Sequence, residues 1–175
     1  MRFHLGWGDA LEDAAAAWTA APATAERSDL DRGGLVREAY RVRIPAAAHG
    51  AARREMVALR WFPQSLLRSA VADDAVTVLQ RVRIGPISVD APVRIVELYA
   101  DDHRAAIAVV TLAGHPERGV ERYELVRNAD GSGTLTVDKA WALVDPLARL
   151  VAPFAQWFQA YATRRSLRRF RRLRR

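Results

Sequence analysis

VERYELVRNADGSGTLTVDKAW, the stretch Val120–Trp141, predicts a β-hairpin. Both arms alternate apolar and polar residues, which is the pattern of strands that bury one face. The segment Asn128–Ser132 between them is rich in the Asn, Asp and Gly residues that turns favour. The hairpin therefore indicates an antiparallel sheet.

The register of this hairpin follows from its apolar residues. Pairing Arg127 with Gly133 brings the apolar residues of both arms to one face. The pairs on that face are Leu125–Leu135, Tyr123–Val137 and Glu121–Lys139, with Trp141 next along it. Burying the pair Glu121–Lys139 costs desolvation unless the two charges bond each other or lie near water. Either the pair lines a ligand cavity beside the two aromatic residues, or the hairpin twists outward and the pair is an exposed cross-strand contact.

The chain before the hairpin contains segments with the sequence pattern of strands and segments with that of helices. Further strands are predicted over Leu35–Ile44, Val76–Ile84 and Val93–Tyr99. Ala105–Leu112 is apolar on both faces, which predicts a well-covered central strand. Helices are predicted over about 9–18, 45–61 and 64–72. Residues 20–34 are expected to be a linker or long loop.

After the hairpin the pattern becomes helical. Asp145-Pro146 supplies an N-cap and a proline at the first helical position, and Pro153 predicts a kink. Apolar residues then recur at spacings of three and four: Leu147, Leu150, Val151, Phe154, Trp157, Phe158 and Tyr161. This wide stripe must pack on another element. The layout predicts an α+β fold in which a curved antiparallel sheet grips a long, amphipathic C-terminal helix.

The positive charge of the chain is local. The 175 residues carry a net charge of +7, but residues 164–175 hold eight Arg and no acid, so the remainder stands at −1. A nearly neutral body removes the case for sequence-specific nucleic-acid binding. At 100° per residue, Leu167, Phe170 and Leu173 fall away from the apolar stripe. We therefore expect the packed helix to end near Ala162–Thr163 and the remainder to project.

This C-terminal tail is a basic amphipathic segment. The candidate anion-binding residues are Arg164, Arg165, Arg168, Arg169, Arg171 and Arg172. Such a segment suits anionic lipid, nucleic acid or an acidic protein. The alternative is a solvated chain end without a partner.

Domain organisation follows from these patterns. We expect an N-terminal segment and linker over residues 1–34, a domain over 35–163 and the tail over 164–175. Asp9, Glu12 and Asp13 interrupt any signal-peptide core, and no apolar run approaches the roughly 20 residues that span a bilayer. A cytoplasmic protein without a transmembrane segment is expected.

Several kinds of chemistry are excluded or unsupported. The absence of cysteine excludes disulfides, thiolate catalysis and Cys-ligated metal sites. Histidines 4, 49 and 103 show no ligand spacing with His115, so no metal site is predicted. A nucleophile elbow and a phosphate-binding glycine loop are both missing from the sequence, and no cofactor is predicted.

Residues 111–123, TLAGHPERGVERY, resemble the hallmark of a family catalogued only as a domain of unknown function. Val82–Tyr99 and Leu147–Pro153 are similar to its preceding strand pair and its last helix, so the resemblance covers roughly residues 35–175. The family's strand order and final helix resemble the START-related helix-grip superfamily. This resemblance implies an apolar ligand held between the sheet and the last helix, and some members of that superfamily are enzymes.

His115 lies in a turn between Gly114 and Pro116. A neutral imidazole acts as a general base or a ligand contact, and Glu117 or Glu121 would orient it. The alternative is that His115 and Glu117 cap backbone groups of the turn. His115 and Glu121 are the candidate catalytic residues.

Three functional hypotheses follow. The first is binding of a small apolar or amphipathic ligand between the sheet and the C-terminal helix. The second is an enzyme on that scaffold in which His115 and Glu121 transfer a proton. The third is an interaction or membrane-surface module that acts through the tail. The candidate ligand-binding residues are Trp61, Tyr123, Lys139, Trp141, Phe154, Trp157 and Phe158; aromatic residues at helical spacing also occur simply as core.

Overall fold

A computed structural model describes residues 2–8, 10–60, 62–150 and 152–173 of the chain. Its strands are β1 Phe3–Leu5, β2 Val36–Ile44, β3 Leu67–Val71, β4 Thr77–Ile84, β5 Ile87–Ala100, β6 Arg104–Thr111, β7 Glu117–Arg127 and β8 Gly133–Leu143. Its helices are α1 Leu11–Ala16, α2 Ala46–Val57, α3 Pro146–Leu150 and α4 Ala152–Arg172, with a 3-10 turn over Arg27–Leu30.

The strands form one antiparallel sheet in the order β2-β8-β7-β6-β5-β4-β3, and β1 pairs with the first residues of β5. A bulge between Ile95 and Glu97 interrupts the pairing of β5 with β6, and bulges of this kind bend a strand. The hairpin register is confirmed, because Arg127 pairs with Gly133 and Glu121 pairs with Lys139. The predicted α+β arrangement, a curved sheet with a C-terminal helix, is also confirmed.

The two faces of the sheet are covered differently. The main core lies between the inner face and helices α2 and α4, and includes Val78, Ile107 and Tyr123. On the outer face, α1 packs against β3 and β4 through Ala15 and Trp18. The sheet therefore offers one face to the two long helices, where the site described below lies.

One predicted helix is a strand. Residues 64–72 were expected to be helical, but Leu67–Val71 forms β3 and pairs with β4. A segment of five residues carries little periodicity of its own, and the free edge of β4 determines its structure.

The prediction that the packed helix ends near Ala162–Thr163 is wrong. Helix α4 continues to Arg172, and Leu167 and Phe170 are buried in the main core. Its inner face also contains the small buried residues Ala162, Thr163 and Ser166. The buried face of α4 therefore carries these small side chains with Leu167 and Phe170, and most of the predicted aromatic stripe lies outside the core.

Two aromatic residues of that stripe, Trp157 and Tyr161, lie on the outside of α4. Phe154, Trp157 and Tyr161 are exposed, whereas Phe158 packs against the core. At the far end of the helix, the Arg169 guanidinium pairs with Glu55 of α2 and donates to the Arg60 carbonyl. The arginine-rich end is therefore tied to the domain. None of the described helices is long and apolar enough to cross a membrane.

Candidate functional site

A cavity of about 550 Å³ lies between the inner face of the sheet and α4. One side is apolar and is built by β1, β3–β6 and the loop before β3. Its lining includes Phe3, Leu66, Leu67, Val82, Ile84, Ile87, Val89, Ala91, Val93 and Val109. The other side is formed by the start of β7, by β8 and by α4. Its polar lining includes His115, Glu117, Glu121, Lys139, Gln159 and Thr163. The ionisable side chains of the cavity are therefore gathered at one end, where β7, β8 and α4 meet, beside apolar residues such as Trp141 and Phe158.

Glu121 and Lys139 form an ion pair in the cavity wall. The Lys139 Nζ lies 2.5 Å from Glu121 Oε1 and donates to Thr163 Oγ1 at 2.8 Å. The Tyr123 hydroxyl donates to the same Glu121 oxygen at 2.7 Å. Lys139 is only 7% exposed. The pair thus follows the cavity interpretation and not the exposed one, and its desolvation is offset by three charge-assisted bonds.

Tyr123 lies behind this pair and not in the cavity lining. Its side chain is fully buried in the core, and burial together with the Glu121 carboxylate raises the pKa of its hydroxyl well above the ordinary value. Tyr123 therefore remains a hydrogen-bond donor that positions Glu121.

Glu117 lies at the first position of β7, on the same face as Glu121. Its carboxylate accepts a hydrogen bond from the Gln159 amide of α4. Burial raises the pKa of Glu117 to about 7, against the opposing effects of the Gln159 bond and of Lys139. Near neutral pH this carboxyl therefore exists in both protonation states.

His115 caps the backbone at the start of β7. Its Nδ1 accepts a hydrogen bond from the Glu117 backbone amide at 2.9 Å, which leaves the ring proton on Nε2. Burial lowers the pKa of His115 to about 4, so the imidazole is neutral at pH 7. Within the described part of the chain no hydrogen bond joins His115 to Glu121. The turn-capping role is what the geometry supports, and proton transfer by these two residues stays a prediction.

Two residues hold the loop that carries His115. Thr111 Oγ1 donates to the Gly119 carbonyl at 3.2 Å and accepts from the Gly119 amide at 2.8 Å. A Cβ at Gly119 would lie 2.5 Å from the Ala140 carbonyl oxygen, and one at Gly114, where φ is +95°, would strike the Trp18 ring. A side chain at either position would collide with a neighbouring group, so glycine is required at both.

The remaining predicted ligand-binding residues fall into three groups. Trp141, Phe154 and Phe158 line the cavity together with Lys139. Trp157 lies on the outer side of α4, where its ring stacks on Tyr161 at 5.5 Å. Trp61 falls outside the residues that the structure describes. Within those residues, no cluster of three or more His, Cys, Asp or Glu side chains could hold a metal ion.

Sequence reasoning missed Gln159 and Thr163 as members of the site. They are four residues apart, one turn on the same face of α4, and both contact charged groups of the sheet. The available signal was a second stripe of small and polar residues through Thr163 and Ser166, parallel to the aromatic stripe.

A second groove of about 550 Å³ runs along the outer face of α4. Its lining residues are Pro63, Trp157, Ala160, Tyr161, Arg164, Arg165, Arg168, Arg169 and Arg172. The Arg165 guanidinium lies 5.9 Å from the Tyr161 ring centre and donates to its hydroxyl at 2.5 Å. Of the predicted anion-binding residues, Arg171 is exposed but is not among the groove residues.

Residues 21–169 match the sequence profile of a family described as "Domain of unknown function (DUF1990)". The chain belongs to this family. This match supports the predicted resemblance to a family of unknown function. The sheet order and the C-terminal helix support the predicted helix-grip fold. No curated protein sequence matches the chain.

Solved structures resemble this DUF1990 chain in fold. A hypothetical protein from Helicobacter pylori superposes with a TM-score of 0.58 at 7% identity, over 84% of this chain and 94% of that one. A conserved protein from Geobacillus kaustophilus gives 0.52 at 9% identity, over 77% and 95%. A START superfamily protein from Mycobacterium smegmatis gives 0.48 at 16% identity, over 72% and 92%.

Proposed function

We propose that this DUF1990 protein binds a small amphipathic ligand in the cavity between the sheet and α4. The observation that carries this proposal is the uneven lining of the cavity, which is apolar along β3–β5 apart from Gln80 and holds its ionisable side chains where β7, β8 and α4 meet. A volume of about 550 Å³ is in the range of small-molecule sites, which combine mostly apolar walls with a few placed polar groups. An apolar body would lie against Val82 and Val89, and a polar group would lie near Glu117.

The polar end is held rigidly, which favours specific binding. Lys139 is bonded to both Glu121 of the sheet and Thr163 of α4, and Gln159 ties α4 to Glu117. Groups that are fixed before a ligand arrives lose little conformational entropy on binding. The apolar end then supplies affinity through buried area, and the polar end supplies selectivity.

Filling the cavity is expected to abolish ligand binding. Ala91 is buried on β5 and lines the apolar end, so Ala91→Phe would place a ring in the ligand's space. We expect Nile red, a neutral apolar dye, to bind the wild-type protein and to bind Ala91→Phe at least roughly tenfold more weakly, because most of its buried area is lost. Fluorescence titration measures both affinities.

The matched control is Val96→Phe. Val96 is exposed on the same strand and does not line the cavity. This variant should bind the dye as the wild type does. Equal weakening in both variants, or wild-type affinity in Ala91→Phe, would contradict binding in the cavity.

A second candidate function is docking of α4 on an anionic membrane surface, and the composition of its outer face favours it. Trp157 and Tyr161 are exposed there and line the outer groove together with five arginines. Aromatic residues beside a row of cations suit the boundary between lipid headgroups and acyl chains.

Removing three of these cations is expected to release the protein from anionic vesicles. Each arginine near such a surface contributes about 1 kcal/mol, so Arg164→Gln, Arg168→Gln and Arg172→Gln together should weaken binding roughly 100-fold. Co-sedimentation with phosphatidylglycerol–phosphatidylcholine vesicles measures this. The control variant replaces the exposed Arg37, Arg41 and Arg54 by Gln. Equal losses in both triple variants, or equal binding to vesicles of pure phosphatidylcholine, would refute docking through α4.

A further inference from the structure

The charges around the polar end of the cavity are not balanced. Register places Glu38, Lys139 and Glu121 side by side on β2, β8 and β7, so that one ammonium lies between two carboxylates. Glu117 adds a third carboxylate, which lies close enough to interact electrostatically with all three. When Glu117 is ionised, these four side chains carry three negative charges and one positive charge, and the Arg164 guanidinium lies near the Tyr40 hydroxyl that bonds Glu38.

Lys139 does not neutralise Glu117 directly. Its ammonium is bonded to Glu121 at 2.5 Å and to Thr163 at 2.8 Å. The bond that Glu117 receives from a side chain comes from the neutral amide of Gln159. Within the described residues no cationic group forms an ion pair with Glu117. Its carboxylate therefore has unused acceptor capacity at the cavity wall.

We propose that the cavity selects ligands whose polar group is a protonated amine, and that this amine forms an ion pair with Glu117. This selectivity rests on the proposed ligand-binding function. An ammonium supplies the missing positive charge and three hydrogen-bond donors. A carboxylate or phosphate group would instead lie among three like charges in surroundings of low polarity, where repulsion is weakly screened.

Protonation of Glu117 makes this selectivity dependent on pH. Burial raises the pKa of Glu117 to about 7, and the amine binds the ionised carboxylate. Below pH 7 binding must release a proton, so affinity for the amine should fall about tenfold per pH unit, whereas above pH 7 it should level off. Among the neighbouring groups, His115 has a pKa lowered to about 4 and stays neutral over this range. The other charged groups that act on Glu117 are Lys139, Glu121 and Glu38.

Three probes with one chain length test the proposal: decylamine, 1-decanol and decanoate, each displacing Nile red from the full chain between pH 5 and pH 8. We expect decylamine to bind at least roughly tenfold more tightly than decanol at pH 8, and decanoate to bind most weakly. The advantage of the amine should shrink toward pH 5, while the affinity for decanol stays constant.

The variant Glu117→Gln isolates the carboxylate, because the amide keeps its shape. In this variant the affinity for decylamine should fall to the affinity for decanol measured on the same variant, and it should no longer depend on pH. An amine preference that persists in Glu117→Gln, or decanol or decanoate binding as tightly as decylamine to the wild type, would overturn the proposal. If dye and decanol bind but the amine shows no advantage, only the selectivity fails. If neither the dye nor any probe binds, the ligand-binding function itself fails.

Discussion

Replacing Phe170 by alanine is expected to lower the free energy of unfolding by about 3–5 kcal/mol, the usual cost of emptying a phenylalanine site in a core. Phe170 stands among arginines in the sequence, yet its side chain is 0% exposed and belongs to the main core together with Met56 and Leu59. Its removal would leave a cavity where α4 meets α2. Urea denaturation of the full chain, followed by circular dichroism, measures the change.

Trp157→Ala is the control on the same helix. It removes a larger side chain, but Trp157 is 59% exposed on the outer face of α4, so the loss should stay within about 1 kcal/mol. Equal losses in the two variants would contradict the packing described for the end of α4. A small loss for Phe170→Ala alone would mean that residues after Thr163 project from the domain, as the sequence pattern predicted.

The orientation of α4 shows why sequence periodicity failed there while it succeeded in the hairpin. In the hairpin, one shift of register would turn every apolar residue to solvent, so the pattern of Tyr123 and Leu125 permits a single alignment. On α4 two stripes compete. The aromatic one carries more hydrophobicity, but the face that the structure buries carries Ala162, Ser166 and Phe170, and the choice between the two faces depends on tertiary contacts that helical periodicity does not record.

Part of the candidate site could be predicted, because the hydrophobic pattern fixes the register of the hairpin. Glu121 and Lys139 follow from the register of the hairpin, and the structure places both in the cavity wall. The predicted strand began at Val120, whereas β7 begins at Glu117, and alternation along the three added residues turns Glu117 to the same face as Glu121. Gln159 could not be placed, because its position depends on the rotation of α4, which only tertiary packing fixes.

Asp90→Ala is expected to lower the free energy of unfolding by about 3–5 kcal/mol, because it breaks the buried ion pair between Asp90 and Arg81. The two residues face each other across β4 and β5, and their side chains are 2% and 1% exposed. Arg81 Nε donates to Asp90 Oδ1 at 2.7 Å, and Arg81 Nη1 donates to the Trp7 carbonyl at 2.7 Å. Urea denaturation at pH 7 measures the loss.

Two further variants test whether the loss of stability is specific to a buried ion pair or common to any ion pair. Asp102 is 85% exposed in its pair with Arg53, so Asp102→Ala should cost less than about 1 kcal/mol. The double variant Arg81→Met, Asp90→Leu removes both buried charges and should regain most of the stability that Asp90→Ala loses, since apolar replacements avoid the desolvation penalty. If the double variant is less stable than Asp90→Ala, the loss comes from packing or from the bonds to Trp7 and His4, and the account based on a broken buried ion pair is wrong.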